Sequence, residues 1–514
     1  MPRGGRPRLI FAAAGAALTA LALPRAGLWL FGWCALAPLF LAADRAEDGW
    51  GAAAAGFWAG FAYHAVVLHW IYATCRFARI PVPVAVLALA ALAAALAVQW
   101  AAVAWLGRLL SRGASPAARP WIWAVAWTAL AAAAGRWTPR LAVDTLAYTQ
   151  WPNLALIQAG AWGGPYLLGF ALVLVNAGLA EAAVAAPGSR RRASSGLSAG
   201  VLLGAALWAL GARQLSRRPS DPGPTALVEI LQPDVDQYRK WDGDAAAQIL
   251  AGFDELLARP SARRPALVVW PETAIPYYQP RALAAPEAAK WARLDGAAQL
   301  VGIVTAPQPG APAANAVQFV RPDGSVGGLY LKRELVPFGE YVPFRGLVPR
   351  VVVERWLKEL DAMGDLRPGA PDQPLLDTAF GPTAVTICYE AMFPRWARRD
   401  AARGAALIVN VTNDGWYKDT WGPYQHFQAN VFRAVENRST VVRSGNTGIS
   451  AVIDPWGVVT ARLGLGERGR LDAEVPLKDQ FPGRSLYARL GDWFGTLCGG
   501  LTLALLAARL RKTA

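Results

Sequence analysis

The apolar residues of this chain are concentrated in long stretches before residue 214, with one more near the end. An apolar stretch of about 18–20 residues spans a bilayer as a helix, which bonds every backbone group internally. Eight stretches approach this length, near residues 9–24, 26–43, 50–72, 81–106, 120–135, 161–186, 197–213 and 490–508. The pattern therefore predicts a multi-pass α-helical membrane domain with about eight transmembrane helices.

The pattern changes from Thr225 onward, where short β-branched runs alternate with turn signals and helical stretches. Such runs lie at residues 266–270, 299–304, 383–388 and 406–410. Buried strands of an α/β protein have this pattern. The Pro-, Ser- and Arg-containing segment 214–224 is predicted to be a linker. We therefore divide the chain into a membrane domain (1–213), a polar α/β domain (214–489) and a C-terminal helix with its tail (490–514).

Composition supports a membrane protein, because 54% of the 514 residues are hydrophobic and only 17% are charged. The net charge of +15 has two explanations, nucleic-acid binding or arginines at the ends of membrane helices. We favour the second, since no nucleic-acid-binding motif is visible.

The arginines also predict an orientation. If the N-terminus is cytoplasmic, the loops that face the cytoplasm hold more arginines than the opposite loops, as the positive-inside rule requires. The cytoplasmic loops hold Arg45, Arg108, Arg112, Arg119, Arg190, Arg191 and Arg192. Seven crossings then place the polar domain outside the cytoplasm, on the periplasmic side.

Cysteine and histidine are too few for a disulfide framework or a zinc site, and no CxxC motif is present. We therefore expect no metal and no organic cofactor. His64 and His69 fall in the third apolar stretch, where ionisable groups are functional candidates. A neutral histidine bonded to a neighbouring helix is the plainer interpretation of both.

Reactive residues follow three of the predicted strands. Glu272 comes after Pro271, which ends a strand because it has no N–H to donate. Lys332 ends a second strand, and Glu340 lies eight residues later in a loop rich in Pro and Gly. Cys388 ends a third. Taken singly, each has an ordinary explanation: a solvated charge, or a small core residue.

Together, these residue types form a complete site for acyl transfer. A carboxylate takes the proton of a thiol, and a nearby ammonium favours the thiolate. The ammonium also stabilises the oxyanion that forms when sulfur attacks a carbonyl, and the N–H of Tyr389 is a candidate second donor.

The segments around these residues resemble the nitrilase superfamily, whose catalytic set is Glu, Lys and Cys in that order. Nearly the whole chain resembles one branch, the bacterial apolipoprotein N-acyltransferase family. The resemblance rests on the segment from Gln232 to Lys240-Trp241, and on Trp-Pro-Glu272, Tyr-Leu-Lys332, Pro-Phe-Gly-Glu340-Tyr, Ile-Cys388-Tyr-Glu390, Asn413-Asp-Gly-Trp416 and Gln425-His426-Phe. It implies a nitrilase-like α-β-β-α sandwich for the polar domain.

The resemblance also implies a reaction and roles for residues. An acyl chain would pass from a phospholipid to Cys388 as a thioester, and then to the N-terminal amine of the diacylglyceryl-cysteine of an apolipoprotein. The match makes Glu272 the base, Lys332 the oxyanion stabiliser and Cys388 the nucleophile. It makes Glu340 a residue that orients Lys332. It gives supporting or substrate-binding roles to Trp241, Tyr389, Glu390 and Trp416. It places the enzyme in the bacterial inner membrane. We expect a monomer as the simplest oligomeric state.

The chain departs from the family pattern at Asp234, where Asn is usual, and at Gly415, where Ala is usual. Neither residue belongs to the proposed triad. Two other functions stay open at this point. A membrane-tethered nitrilase or amidase would resolve the thioester with water instead of an amine. A transporter with a sensing domain would leave the three motifs unexplained.

Overall fold

A computed structural model describes residues 5–23, 25–137, 145–308, 311–347, 350, 364–477 and 483–513. The chain forms two compact units. The first contains residues 1–76, 81–218 and 485–514, and the second contains residues 77–80 and 219–484.

The first unit is helical. In chain order its helices are α1 (Gly5–Leu21), α2 (Ala37–Asp44), α3 (Gly49–Val67), α4 (His69–Phe77), α5 (Val82–Ser111), α6 (Arg119–Trp137), α7 (Leu154–Ile157), α8 (Gly160–Val184), α9 (Arg190–Ser216), α14 (Leu486–Leu490) and α15 (Trp493–Thr513). Helices α3 and α5 pack against each other, as do α8 and α9. The close packing uses small residues: a Cβ on Gly56 would lie 2.4 Å from the carbonyl oxygen of Trp100.

Four of the described helices are long and apolar enough to cross a membrane, namely α5, α8, α9 and α15. The pair α3 and α4 makes a fifth candidate, bent by 46° at the break between them. Helices α1 and α6 occupy two more of the predicted segments, but they do not meet the same criteria of length and hydropathy. Residue 24, the predicted end of the first segment, lies outside the described residues.

The prediction of one helix over residues 26–43 was wrong. The segment forms a 3₁₀ turn, Trp29–Trp33, followed by the short helix α2. Side chains from elsewhere replace the helical hydrogen bonds. The Asn176 side-chain oxygen accepts from the N–H groups of Leu36 and Ala37, at 2.7 and 3.1 Å, and Gln150 donates to the carbonyl of Trp29 at 2.8 Å. These distant partners cannot be read from the local apolar pattern.

The two histidines of the third predicted segment bond to backbone carbonyls one turn earlier in the chain. The Nδ1 atom of the buried His64 lies 2.7 Å from the carbonyl oxygen of Gly60. His69 begins α4, and its Nδ1 atom lies 3.0 Å from the carbonyl oxygen of Val66.

The described residues of the second unit form two six-stranded sheets. Its strands are β1 (Thr225–Gln232), β2 (Leu267–Val269), β3 (Ala298–Thr305), β4 (Ala314–Val320), β5 (Val326–Leu331), β6 (Leu376–Thr378), β7 (Gly381–Ile387), β8 (Leu407–Thr412), β9 (Thr440–Gly445), β10 (Ala451–Ile453), β11 (Val459–Arg462) and β12 (Gly469–Pro476). The first sheet has the order β12-β1-β2-β3-β4-β5, and the second has the order β11-β10-β9-β8-β7-β6. The four predicted strands are confirmed as β2, β3, β7 and β8.

Helices cover the outer face of each sheet, as in the predicted α-β-β-α sandwich. Helices α10 (Ala246–Leu257) and α11 (Pro286–Asp295) pack on the first sheet. Helices α12 (Pro394–Ala402) and α13 (Gly422–Asn437) pack on the second. Between the sheets, β1 meets β9, and Ser444 donates to the carbonyl of Leu231 at 2.9 Å. The parallel strands β2–β3 and β7–β8–β9 therefore deliver several loops to one region.

Candidate active site

Glu272 is held just beyond the end of β2. The N–H of Trp270 still donates to the carbonyl of Leu300 at 2.9 Å, and Pro271 then ends the pairing. The strand and its first following residues are buried by α10, where the Phe253 ring packs 4.7 Å from the Trp270 ring, centroid to centroid. Burial fixes the direction of this strand end, and Glu272 is itself only 6% exposed.

Lys332 joins two carboxylates in the interior. Its Nζ atom lies 3.3 Å from Oε1 of Glu272 and 2.9 Å from Oε1 of Glu340. Lys332 comes directly after β5, and its side chain is 1% exposed. The second oxygen of Glu340 accepts the N–H of Val336 at 2.8 Å, which fixes the loop between Lys332 and Glu340. The structure thus brings Glu272, Lys332 and Glu340 together, as the sequence analysis expected for the first two.

Asn315 on β4 completes this cluster, and no sequence motif selects it. Its amide nitrogen donates to Oε1 of Glu272 at 2.7 Å and to Oε1 of Glu340 at 2.9 Å. The Asn315 carbonyl also accepts the backbone N–H of Lys332 at 2.9 Å. Only the pairing of β4 with β5 brings this asparagine to the site, so no local sequence signal identifies it.

Cys388 occupies a strained position at the end of β7. Its φ of +49° lies in the left-handed region, which residues with a Cβ rarely adopt. The 3₁₀ turn Cys388–Met392 begins there, so the chain reverses sharply between strand and turn. Such a geometry directs a side chain out of a strand end, and strain of this kind clusters at functional sites.

Glu390 holds this turn from inside. It is fully buried, and its carboxylate accepts the backbone N–H groups of Arg333, Glu334 and Ile387 together with the Tyr330 hydroxyl. Burial raises the pKa of Glu390 to about 7, although the donated hydrogen bonds lower it. One side chain thereby ties the segment after Lys332 to the turn that carries Cys388.

Replacing Glu390 with glutamine should destabilise the protein more than removing one donor by Tyr330→Phe. The amide NH₂ group would face backbone donors and leave them buried without an acceptor, which costs about 1–3 kcal/mol per group. Thermal unfolding in mild detergent at pH 8 would rank the midpoints. We expect wild type, then Tyr330→Phe, then Glu390→Gln, and the reverse order of the two variants would contradict this role.

The charges of the cluster set the protonation of its members. Burial alone would lower the pKa of Lys332, but Glu272 and Glu340 raise it by more, so the side chain stays an ammonium. Burial and the charge of Glu272 raise the pKa of the Cys388 thiol to about 12, while Lys332 and a hydrogen bond with Thr412 lower it by less. Lys332 therefore favours the thiolate, as expected, but burial and Glu272 outweigh it, and the resting sulfur keeps its proton.

A second lysine, which no sequence motif marks as catalytic, lies close to the cluster. Lys240 is 2% exposed, and its Nζ atom donates to the backbone carbonyl of Glu272 at 2.7 Å. Burial lowers its pKa to about 8, although Glu272 and Cys388 oppose the shift. Its neighbour Trp241, a predicted supporting residue, is 37% exposed.

The remaining predicted residues lie around the turn and the loop after β8. Tyr389 is buried, with its ring 4.8 Å from that of Phe393. Trp416 ends the 3₁₀ turn Asp414–Trp416, and its ring lies edge-on to that of Phe77 at 6.2 Å. Asp234, where the family usually has Asn, has a φ of +54°, which the short polar side chains of Asn and Asp tolerate.

Two family models match the chain in the regions just described. The model of the apolipoprotein N-acyltransferase N-terminal domain matches residues 15–178, and the model of the carbon-nitrogen hydrolases matches residues 230–480. An apolipoprotein N-acyltransferase of Geobacter metallireducens is 34% identical, with 96% of this chain and 94% of the relative covered. That of Azotobacter vinelandii is also 34% identical, with 100% and 96% covered. The chain belongs to the apolipoprotein N-acyltransferase family.

Membership in the apolipoprotein N-acyltransferase family confirms the predicted resemblance and makes the chain a membrane acyltransferase of the nitrilase superfamily. The family models do not favour the transporter, and the relatives do not favour the amidase. Among solved structures, a Saccharomyces cerevisiae member of branch 10 of the nitrilase superfamily is 21% identical, covers 49% of this chain and 90% of its own, and has a TM-score of 0.38. An amidase from Nesterenkonia sp. is 22% identical, with 50% and 92% covered and a TM-score of 0.36.

Proposed function

We propose that this enzyme transfers an acyl chain from a phospholipid, through a thioester on Cys388, to the N-terminal amine of the diacylglyceryl-cysteine of apolipoproteins. The observation that carries the proposal is the cluster in which Lys332 joins Glu272 and Glu340, whose charges act on the thiol of the strained Cys388. Base, cation and nucleophile are the groups that acyl transfer through a thioester requires. The name of the relatives, apolipoprotein N-acyltransferase, supports an amine of an apolipoprotein as the acceptor.

In the first half-reaction, Glu272 takes the proton of the Cys388 thiol as sulfur attacks the ester carbonyl. The new oxyanion is stabilised by the ammonium of Lys332 and by the N–H of Tyr389. When the tetrahedral intermediate collapses, the C–O bond breaks and Glu272 returns the proton to the departing lysophospholipid alkoxide. The raised pKa of Cys388 makes this base necessary, since few sulfurs are ionised at neutral pH.

In the second half-reaction, the acceptor amine attacks the thioester carbonyl and gives a proton to Glu272. The C–S bond then breaks, and Cys388 leaves as a thiolate that recovers this proton. Glu340 orients Lys332 throughout, because its carboxylate is fixed by Asn315 and Val336. We assign substrate contacts to Trp241 and Trp416, because both residues are partly exposed. Trp241 directly follows Lys240, which bonds to Glu272, and Trp416 ends the turn that begins at Asp414.

The location follows from the substrates. Both carry acyl chains that leave a bilayer only at about 0.8 kcal/mol per CH₂ group, so the site must work at a membrane surface. We propose a membrane domain over residues 1–213, an extracytoplasmic catalytic domain over 214–489, and a C-terminal helix and tail over 490–514. The arginine distribution supports the bacterial inner membrane with the catalytic domain on the periplasmic side. We propose that the enzyme acts as a monomer.

Replacing the base Glu272 with glutamine should have opposite effects on the ionisation of the Cys388 thiol and on the rate of acyl transfer. In Glu272→Gln, loss of the nearby negative charge lowers the pKa of Cys388, so more thiolate exists at pH 8 and iodoacetamide should alkylate Cys388 faster. Acyl transfer should nevertheless fall by about 10²–10⁴-fold, since the proton acceptor is gone. Peptide mass spectrometry after timed alkylation distinguishes Cys388 from the other three cysteines. Slower alkylation in the variant would contradict the assigned electrostatics.

The function itself is tested with purified enzyme, phospholipid and a synthetic diacylated lipopeptide in mild detergent. The proposal predicts a lipopeptide heavier by one acyl chain and one equivalent of lysophospholipid. Blocking the peptide amine by acetylation should stop the reaction. Release of free fatty acid at the same rate with either peptide would identify a hydrolase instead.

A further inference from the structure

His426 lies directly behind the nucleophile, and the proposed mechanism does not use it. It is 4% exposed and lies in the first turns of α13. Its Nε2 atom lies 2.7 Å from the backbone carbonyl oxygen of Cys388, and its Nδ1 atom lies 2.8 Å from Oδ1 of Asp414. Both ring nitrogens therefore face oxygen atoms at hydrogen-bond distance.

Neither oxygen donates a hydrogen to the ring. A backbone carbonyl only accepts, and Asp414 is a carboxylate, since Arg443 donates to its other oxygen at 2.7 Å. Burial alone would raise the pKa of Asp414, but Arg443 and His426 lower it, and the net shift is downward. A neutral imidazole has only one N–H and can donate to only one of these two oxygens. Its other ring nitrogen would then face the second oxygen, acceptor against acceptor, with no hydrogen between them.

We propose that His426 is a doubly protonated imidazolium that positions and polarises the Cys388–Tyr389 peptide group for oxyanion binding. The carbonyl that accepts from His426 belongs to the same peptide group as the N–H of Tyr389. A charged donor on that carbonyl withdraws electron density from the group, and its N–H becomes a stronger donor to the oxyanion. The inference rests on the proposed function for its catalytic meaning.

The same contact explains how the strained backbone is held. Cys388 stays at a φ of +49° only if its surroundings fix both sides of the residue. Glu390 holds the preceding N–H of Ile387, and His426 holds the carbonyl of Cys388 itself. His426 is thus a positioning residue, and the reacting atoms remain those of Cys388, Glu272 and Lys332.

The charges around the ring agree with a cation there. Asp414 lies on one side, and its second oxygen is neutralised by Arg443 on β9, which also bonds to Asn410. On α13 the next charged residues, Arg433 and Glu436, pair with each other at 2.8 Å. The ring therefore faces one carboxylate and one carbonyl.

The protonation state is directly measurable, because the chain contains only three histidines. We would label the wild-type enzyme with ¹⁵N-histidine in detergent micelles and assign the His426 signals by their loss in His426→Gln. The proposal predicts a hydrogen on both ring nitrogens at pH 7.5. One unprotonated ring nitrogen at that pH would overturn it, whatever the fate of the proposed function.

The catalytic part is tested by the rate of thioester formation from phospholipid. His426→Gln should lower the maximal rate by about 10- to 10²-fold, while KM should change less than about twofold. The upper value equals the smaller losses seen when a complete oxyanion donor is removed, about 10²-fold. Asn437→Ala is the control, because this buried side chain at the other end of α13 donates to the Arg433 carbonyl and does not contact the site.

The outcomes are distinguishable. A wild-type rate in His426→Gln, or a loss confined to KM, would overturn the positioning role. Absence of any thioester in the wild type would instead overturn the proposed function. The NMR result would still decide whether His426 carries a hydrogen on both ring nitrogens. If His426→Gln does not fold, the signals lost in His64→Gln and His69→Gln identify those two histidines, and the remaining wild-type signals belong to His426.

Discussion

Lys332→Met is expected to reduce acyl transfer by about 10³-fold or more and to destabilise the protein by about 3–5 kcal/mol. The ammonium is the proposed oxyanion stabiliser, so its loss removes the strongest charge at the developing negative oxygen. It also leaves the buried carboxylates of Glu272 and Glu340 without the ammonium that joins them, while the Asn315 amide still donates to both. Transfer assays and thermal unfolding in the same detergent measure both effects.

A compensating variant separates the two consequences. Lys332→Met combined with Glu340→Gln removes one of the unpaired carboxylates, so part of the lost stability should return while transfer stays lost. Lys290→Met is the matched control, because Lys290 forms an exposed ion pair with Asp254 at 3.0 Å. An active double variant would contradict the role assigned to Lys332.

Replacing Cys388 should abolish transfer while leaving the fold intact. We expect Cys388→Ala to lose at least about 10⁴-fold in rate, as nucleophile deletion does in other covalent enzymes. The φ of +49° adds a second expectation. Glycine adopts this conformation without the strain of about 1–2 kcal/mol that a Cβ causes. Cys388→Gly should therefore unfold at a temperature no lower than Cys388→Ala.

This comparison tests whether the backbone at the nucleophile is strained. Glycine at an ordinary position is destabilising by roughly 0.5–1 kcal/mol relative to alanine. Phe380→Leu is a useful reference for unfolding, since Phe380 is a buried core residue near β7 that takes no part in the site. A much lower midpoint for Cys388→Gly than for Cys388→Ala would show that the left-handed conformation is not a source of strain.

The sequence was sufficient to predict the site residues that directly follow strands. Glu272, Lys332 and Cys388 each follow an apolar run, and strands of one sandwich deliver their ends to common regions. The resemblance to a family with a Glu, Lys and Cys set supplied their order and their expected roles. The four predicted strands followed from the β-branched runs alone, because burial on both faces leaves a clear apolar pattern.

Features that depend on distant partners were not predictable in the same way. Asn315 is one polar residue in a buried strand, and only pairing with β5 shows that it faces two carboxylates. His426 and Asp414 lie in motifs that resemble the family, yet their relation to Cys388 depends on how α13 packs. The protonated resting thiol likewise follows from burial, which the strand pattern alone does not quantify.

In the helical unit, too, the local sequence does not reveal contacts with distant residues. Residues 26–43 have the hydropathy of a spanning helix, but side chains of Asn176 and Gln150 bond to the backbone there and compete with helical bonds. Because these partners lie more than a hundred residues away, a local window cannot reveal them. Hydropathy identified the longer helices well, since their pattern depends only on neighbouring residues.

The measurement that tests the central claim most directly is the intact mass of the enzyme after incubation with phospholipid alone. We predict an adduct of one fatty acyl mass that maps to Cys388, is released by hydroxylamine, is absent from Cys388→Ala, and disappears when a diacylated lipopeptide is added. If folded enzyme that transfers acyl chains to the lipopeptide never carries an adduct on Cys388, transfer does not pass through a thioester and the proposed mechanism is wrong.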